Sequence, residues 1–85
     1  MSMAMRYTVI VEPTNEPDQP GWFYAHIPAL DLTTHGLGVE GALAAARDLV
    51  IGWIAERKSR GEEVPPEAPT LVGQIEISDD ALHAA

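Results

Sequence analysis

At 85 residues the chain has room for one compact domain and not two, since a domain this small buries only about 60% of its unfolded surface. Its 46% hydrophobic and 21% charged residues exclude a disordered or fibrous class. Five basic against thirteen acidic residues, a formal charge of −8, argue against direct nucleic-acid binding by this chain alone. There is no cysteine, hence no disulfide or thiolate metal site, and no apolar run approaches the roughly 18 residues of a membrane span, so the chain reads as cytoplasmic.

Residues 1–4 precede any regular pattern and read as a flexible leader to a single domain over residues 5–78. Residues 6–12 are rich in Tyr, Thr, Val and Ile, types that suit a half-buried pleated surface, and Pro13 removes a donor at their end, which predicts a first strand. Residues 14–21 hold Asn15, Pro17, Asp18, Pro20 and Gly21 and read as a polar loop. Residues 22–27, stopped by Pro28, predict a second strand in an antiparallel hairpin with the first, and residues 30–35, before Gly36, a short third.

From Val39 the apolar period lengthens. Val39, Ala42, Leu43, Ala46, Leu49, Val50, Trp53 and Ile54 form one helical stripe, with Arg47, Asp48, Glu56 and Lys58 opposite. The helix is predicted to run to about Ser59 and to stop at Gly61, with Gly38 a moderate N-cap and Gly41 a weak residue in the first turn. Residues 61–69, with three prolines and three glutamates, read as an extended connector. Residues 70–78 then alternate, Leu71, Gly73, Ile75 and Ile77 against Val72, Gln74 and Glu76, which predicts a fourth strand. A strand, helix, strand connection favours a right-handed crossover and so a strand parallel to another, most plausibly the first. Residues 79–85 read as a flexible tail. The expected fold is therefore α+β in the order β-β-β-α-β: a three-stranded antiparallel sheet, one covering helix, and a fourth strand parallel to the first.

Four pieces carry a family resemblance: Arg6-Tyr7-Thr8-Val9-Ile10-Val11-Glu12; Gly21-Trp22-Phe23-Tyr24-Ala25-His26-Ile27-Pro28-Ala29-Leu30; Asp31-Leu32-Thr33-Thr34-His35-Gly36 leading to Val39-Glu40-Gly41-Ala42-Leu43; and Gly61-Glu62-Glu63-Val64-Pro65-Pro66-Glu67. In this order they resemble the HicB-like antitoxin family. The resemblance implies a partial ribonuclease H-like fold and a role in blocking a small basic messenger-RNA-cleaving toxin of the HicA type. The sequence departs from the family pattern in lacking Pro-Gly-Cys after Leu30 and in having Gly38 where a capping Thr or Ser is common. It also has no segment that reads as the DNA-binding module of longer members, which argues against autorepression of an operon.

Glu12, Asp31, Glu40 and Asp48 are candidates for a two-metal nuclease site, because such chemistry needs converging carboxylates, but acidic residues at strand ends and on a solvent-facing helix side are more often simply hydrated. His26 and His35 lack the short spacing of a metal pair, and Ser2, Ser59 and Ser78 lack a neighbouring histidine to activate them. No enzyme, metal or cofactor is expected. Interaction chemistry fits better. Alternation divides Trp22, Tyr24 and His26 from Phe23, Ala25 and Ile27, and Thr8, Ile10 and Glu12 from Tyr7, Val9 and Val11, leaving apolar side chains on both sheet faces whichever parity is buried. Trp22 and Tyr24 are the candidate anchors for a partner, and Glu12, Glu16, Asp18 and Asp31 the candidate carboxylates that steer it. The expected function is neutralisation of a basic toxin by stoichiometric occlusion, by a chain that also forms a dimer or tetramer. The alternative is an orphan self-associating domain without a toxin.

Overall fold

The computed structural model describes residues 4–67 and 69–83. Three strands, β1 (Ile10–Pro13), β2 (Trp22–Ile27) and β3 (Leu32–Leu37), form an antiparallel sheet in the order β1-β2-β3. A 22-residue helix, α1 (Gly38–Ser59), packs on one face, mainly over β2 and β3, and a short helix α2 (Asp79–His83) follows near the C-terminus. The chain is thus α+β, as the change of apolar period from two to nearly four requires.

The register decides which parity is buried. Ala25 lies between Val11 and Thr34, Phe23 between Pro13 and Gly36, and Ile27 beside Leu32. These positions face α1, where Ala42 and Ala46 are fully covered. Ala25, Ile27, Leu30, Ala42 and Ala46 make the core, with Tyr7, Val9, Val11, Phe23, Leu32, Val50 and Trp53 half-buried around it. Small alanines bring the helix close to the sheet, but they bury little area. Ile27 is the one large side chain fully enclosed among the described residues, so the core is thin even for a small domain.

Several boundaries differ from expectation. β1 begins at Ile10 rather than residue 6; β2 ends at Ile27 and Pro28 opens a 3-10 turn, so the hairpin offers residues 6–8 no ladder. Tyr7 and Val9 still pack against the core. That turn, Pro28–Leu30, ends on Asp31 at φ 52° and displaces β3 two residues beyond the expected 30–35. The helix stripe holds at Ala42, Ala46, Val50 and Trp53, whereas Val39 and Leu43 are exposed. Gly38 acts through its backbone rather than as an N-cap: at φ 72° it donates its N–H to the Gly21 carbonyl at 2.8 Å, and so ties the helix entry to the end of the β1–β2 loop. At the other end Gly61, at φ 71°, follows the last turn as expected.

The fourth strand is the largest difference. The sheet has three strands, and residues 71–78 run outside it, exposed throughout. The β1 edge that would receive them is four residues long and ends in Pro13, which has no N–H to give. The connector does reach that side of the molecule. Tyr7 Oη donates to the Pro65 carbonyl at 2.6 Å, and Thr8 donates through N and Oγ1 to Glu67 Oε2 at 2.5 and 2.7 Å. Of the tail expected over residues 79–85, Asp79–His83 is one exposed helical turn whose Ala81 N–H is received by Ser78. Residues 84 and 85, like 1–3 of the expected leader, lie outside the described residues.

Candidate functional site

Because α1 covers one face of the sheet, the other parity is left without a protein layer among the described residues. Its side chains form ranks across the strands: Trp22 beside Leu37, then Glu12, Tyr24 and His35, then Ile10, His26 and Thr33. The strands place them there by the period of two, and the register brings a tryptophan, a tyrosine and two histidines from two strands onto one surface.

These side chains support one another. The Trp22 and His35 rings lie diagonally across β2 and β3 with centroids 5.3 Å apart, tilted by 44°, an arrangement typical of a packed aromatic pair. A hydrogen bond of 2.8 Å joins His26 Nδ1 to Thr33 Oγ1. Tyr24 stays 42% exposed and Leu37 63% exposed, so both meet water on this face beside the exposed Glu12, Thr33 and His35. Trp22 is half-buried against its neighbours. It belongs to the open face and not to the helix-side core.

The acidic residues divide by topology. Glu12 is exposed in the central rank beside Tyr24. Glu16 and Asp18 are exposed in the β1–β2 loop, near Trp22, where the Thr14 N–H donates to the Trp22 carbonyl at 2.9 Å and the Gln19 N–H to Glu16 at 3.0 Å. Asp31 sits at the opposite end, between the 3-10 turn and the start of β3, a six-residue strand away, or about 20 Å. The proposed steering set therefore splits into Glu12, Glu16 and Asp18 on one side and Asp31 on the other.

The metal candidates do not converge either. Glu40 is exposed in the first turn of α1, where a carboxylate complements the helix dipole, and Asp48 lies exposed further along. Among the described residues no three His, Asp or Glu side chains are placed to share a metal ion. No described helix is long and apolar enough to cross a membrane.

His35 and Leu37 are members of the face that sequence reading did not assign to it. Their signal was the alternation Thr33, His35, Leu37, obscured because Asp31 ends a turn and shifts the strand. Comparison with protein-family models, with curated proteins and with solved structures finds no match, so the function rests on the chain's own residues.

Proposed function

We propose that this chain is a non-catalytic binding protein of the HicB-like antitoxin kind, which neutralises a small basic messenger-RNA-cleaving toxin of the HicA type by stoichiometric occlusion. One observation carries the reading: half of the sheet's side chains, with Trp22, Tyr24, His35 and Leu37 among them, form an uncovered face on a chain of formal charge −8. Contiguous exposed apolar surface rimmed by polar groups is the usual mark of a protein interface, and aromatic side chains supply most of the binding energy there. Glu12, Glu16 and Asp18 sit around the aromatic group, which suits a cationic partner. In the same reading residues 70–78 are the fourth strand, parallel to β1, of a partial ribonuclease H-like sheet. The alternation of Leu71, Ile75 and Ile77 and the free β1 edge support it.

The test is co-expression with the product of the neighbouring reading frame, if that product is short and basic. A complex of fixed stoichiometry that abolishes messenger-RNA cleavage is expected, with faster dissociation for Tyr24→Ala. Metal-dependent RNA cleavage by this chain alone, lost in Asp31→Asn, would instead make it an enzyme. Absence of any basic partner would leave an orphan self-associating domain.

A further inference from the structure

We infer that residues 71–77 of one copy of this chain complete the sheet of a second copy, lying along its β1 edge and filling the groove between its N-terminal stretch and α1, so that two copies exchange tails reciprocally. The inference rests on the fourth-strand reading above and assigns that strand to the partner copy; it uses the helix side of the sheet and is independent of the open face and of any toxin.

The tail is the wrong composition for a solvated appendage. Leu71, Val72, Ile75 and Ile77 are 96, 81, 86 and 60% exposed, the largest run of apolar exposure among the described residues. Leu71, Ile75 and Ile77 share one side of an extended chain, with only Gly73 between them, which is the pattern of a strand with one buried face. In the described residues it makes no backbone hydrogen bond to the sheet.

A receiving site of matching shape exists. Because α1 lies mainly over β2 and β3, the β1 side keeps a groove of about 640 Å³, lined by Tyr7 and Val9 below and by Leu43, Val50, Ile51 and Ile54 above. β1 is an edge strand. A strand that runs along β1 as far as Pro13, which has no N–H to give, and on beside Tyr7 and Val9 would point alternate side chains into that groove, the arrangement by which proteins commonly protect such an edge.

Shape argues that the two are joined between copies. The chain has a radius of gyration of 17.2 Å and extents of 56 × 31 × 22 Å, where a compact chain of this length would have a radius of about 12 Å. The tail thus projects from the body that carries its groove. Behind it, Glu67 is held by Thr8, and Pro65, Pro66 and Pro69 stiffen the connector in extended form. An element held out from its own body in this way is one that two copies can exchange at low cost. Area is sufficient: with roughly 100 Å² of apolar surface on each of the three groove-facing side chains, two exchanged tails and the surfaces they cover come to about 1,200 Å², the lower end of the range of stable interfaces.

The experiment is light scattering on the full chain at high micromolar concentration, with amide hydrogen exchange across residues 71–77. Alongside the native chain go a tail variant, Ile75→Asp/Ile77→Asp, and a groove variant, Leu43→Asp/Ile51→Asp, all four positions being exposed enough in one chain for the fold to tolerate the change. The expected result is a dimer with protected tail amides, two folded monomeric variants, and recovery of a heterodimer when the variants are mixed. A native monomer with protected amides would overturn the exchange while keeping the fourth strand, which then returns within its own chain. A native monomer with unprotected amides would overturn both. A dimer that survives in the tail variant would place the contact on another surface, and one that survives in the groove variant would mean that tails pair with tails; either result overturns the proposal.

Discussion

Gly36 of β3 and Gly41 of α1 meet backbone to backbone, so closely that a methyl on Gly36 would collide with the Gly41 carbonyl and stand 2.6 Å from the Ala42 nitrogen. The relationship is not symmetrical. A methyl on Gly41 would come no nearer than 3.6 Å to Gly36, an ordinary contact. The expected outcomes have opposite signs: Gly36→Ala loses about 2–3 kcal/mol by overpacking a contact made of backbone, whereas Gly41→Ala gains about 0.5–1 kcal/mol from helix propensity. Thermal unfolding of the two variants checks this. Equal changes in melting temperature would show that the helix does not approach the sheet here.

Ile27 and Tyr24 are three residues apart on β2 and point to opposite sides, so they separate folding from binding. Ile27→Ala is expected to cost about 3 kcal/mol of stability, as a large buried aliphatic cut to a methyl does. Tyr24→Ala should leave the melting temperature within a few degrees and accelerate dissociation of a partner, about tenfold for each 1.4 kcal/mol lost. Trp22→Ala is read in the same way, with some loss of stability from its contact with His35. If both aromatic variants stay folded and neutralise a basic toxin with unchanged dissociation, the open face is not the binding face.

Glu16 and Asp18 should govern association rather than dissociation. Replacing both by their amides is expected to slow binding of a basic partner several-fold at low salt and to flatten its salt dependence, because exposed charges act mainly on encounter. Asp31→Asn, at the far end of the sheet, should change the rate less. Stopped-flow measurements over a series of ionic strengths decide between these sites, and an Asp31 effect as large as that of the loop pair would move the docking surface to the 3-10 turn.

Tyr7 fastens the connector through its hydroxyl on the Pro65 carbonyl. Tyr7→Phe keeps the ring against the core and removes that bond, so it should lower stability by about 1 kcal/mol. It should also speed proteolysis within residues 61–69 relative to the native chain. Unaltered cleavage kinetics would show that the clasp from Thr8 to Glu67 holds the connector alone.

Much of this protein was set by local chemistry. The aromatic and apolar run of residues 22–27 between a Gly and a Pro is a strand at its predicted bounds, and Gly61 ends α1 where its left-handed conformation allows. Composition and alternation also showed that Trp22, Tyr24 and His26 share a face. Tertiary structure alone decided which parity that face would be, because Phe23, Ala25 and Ile27 alternate equally well and only the helix's alanines select them as the closer-packing side. It also moved β3 by two residues through the Asp31 turn, and it separated Asp31 from Glu16 and Asp18, since antiparallel strands carry sequence neighbours to opposite ends of a sheet. The tail shows the limit of reading a pattern. Alternation in residues 70–78 predicts a strand, yet the described sheet has three; a strand needs a neighbouring backbone, and no local sequence says which edge will supply it.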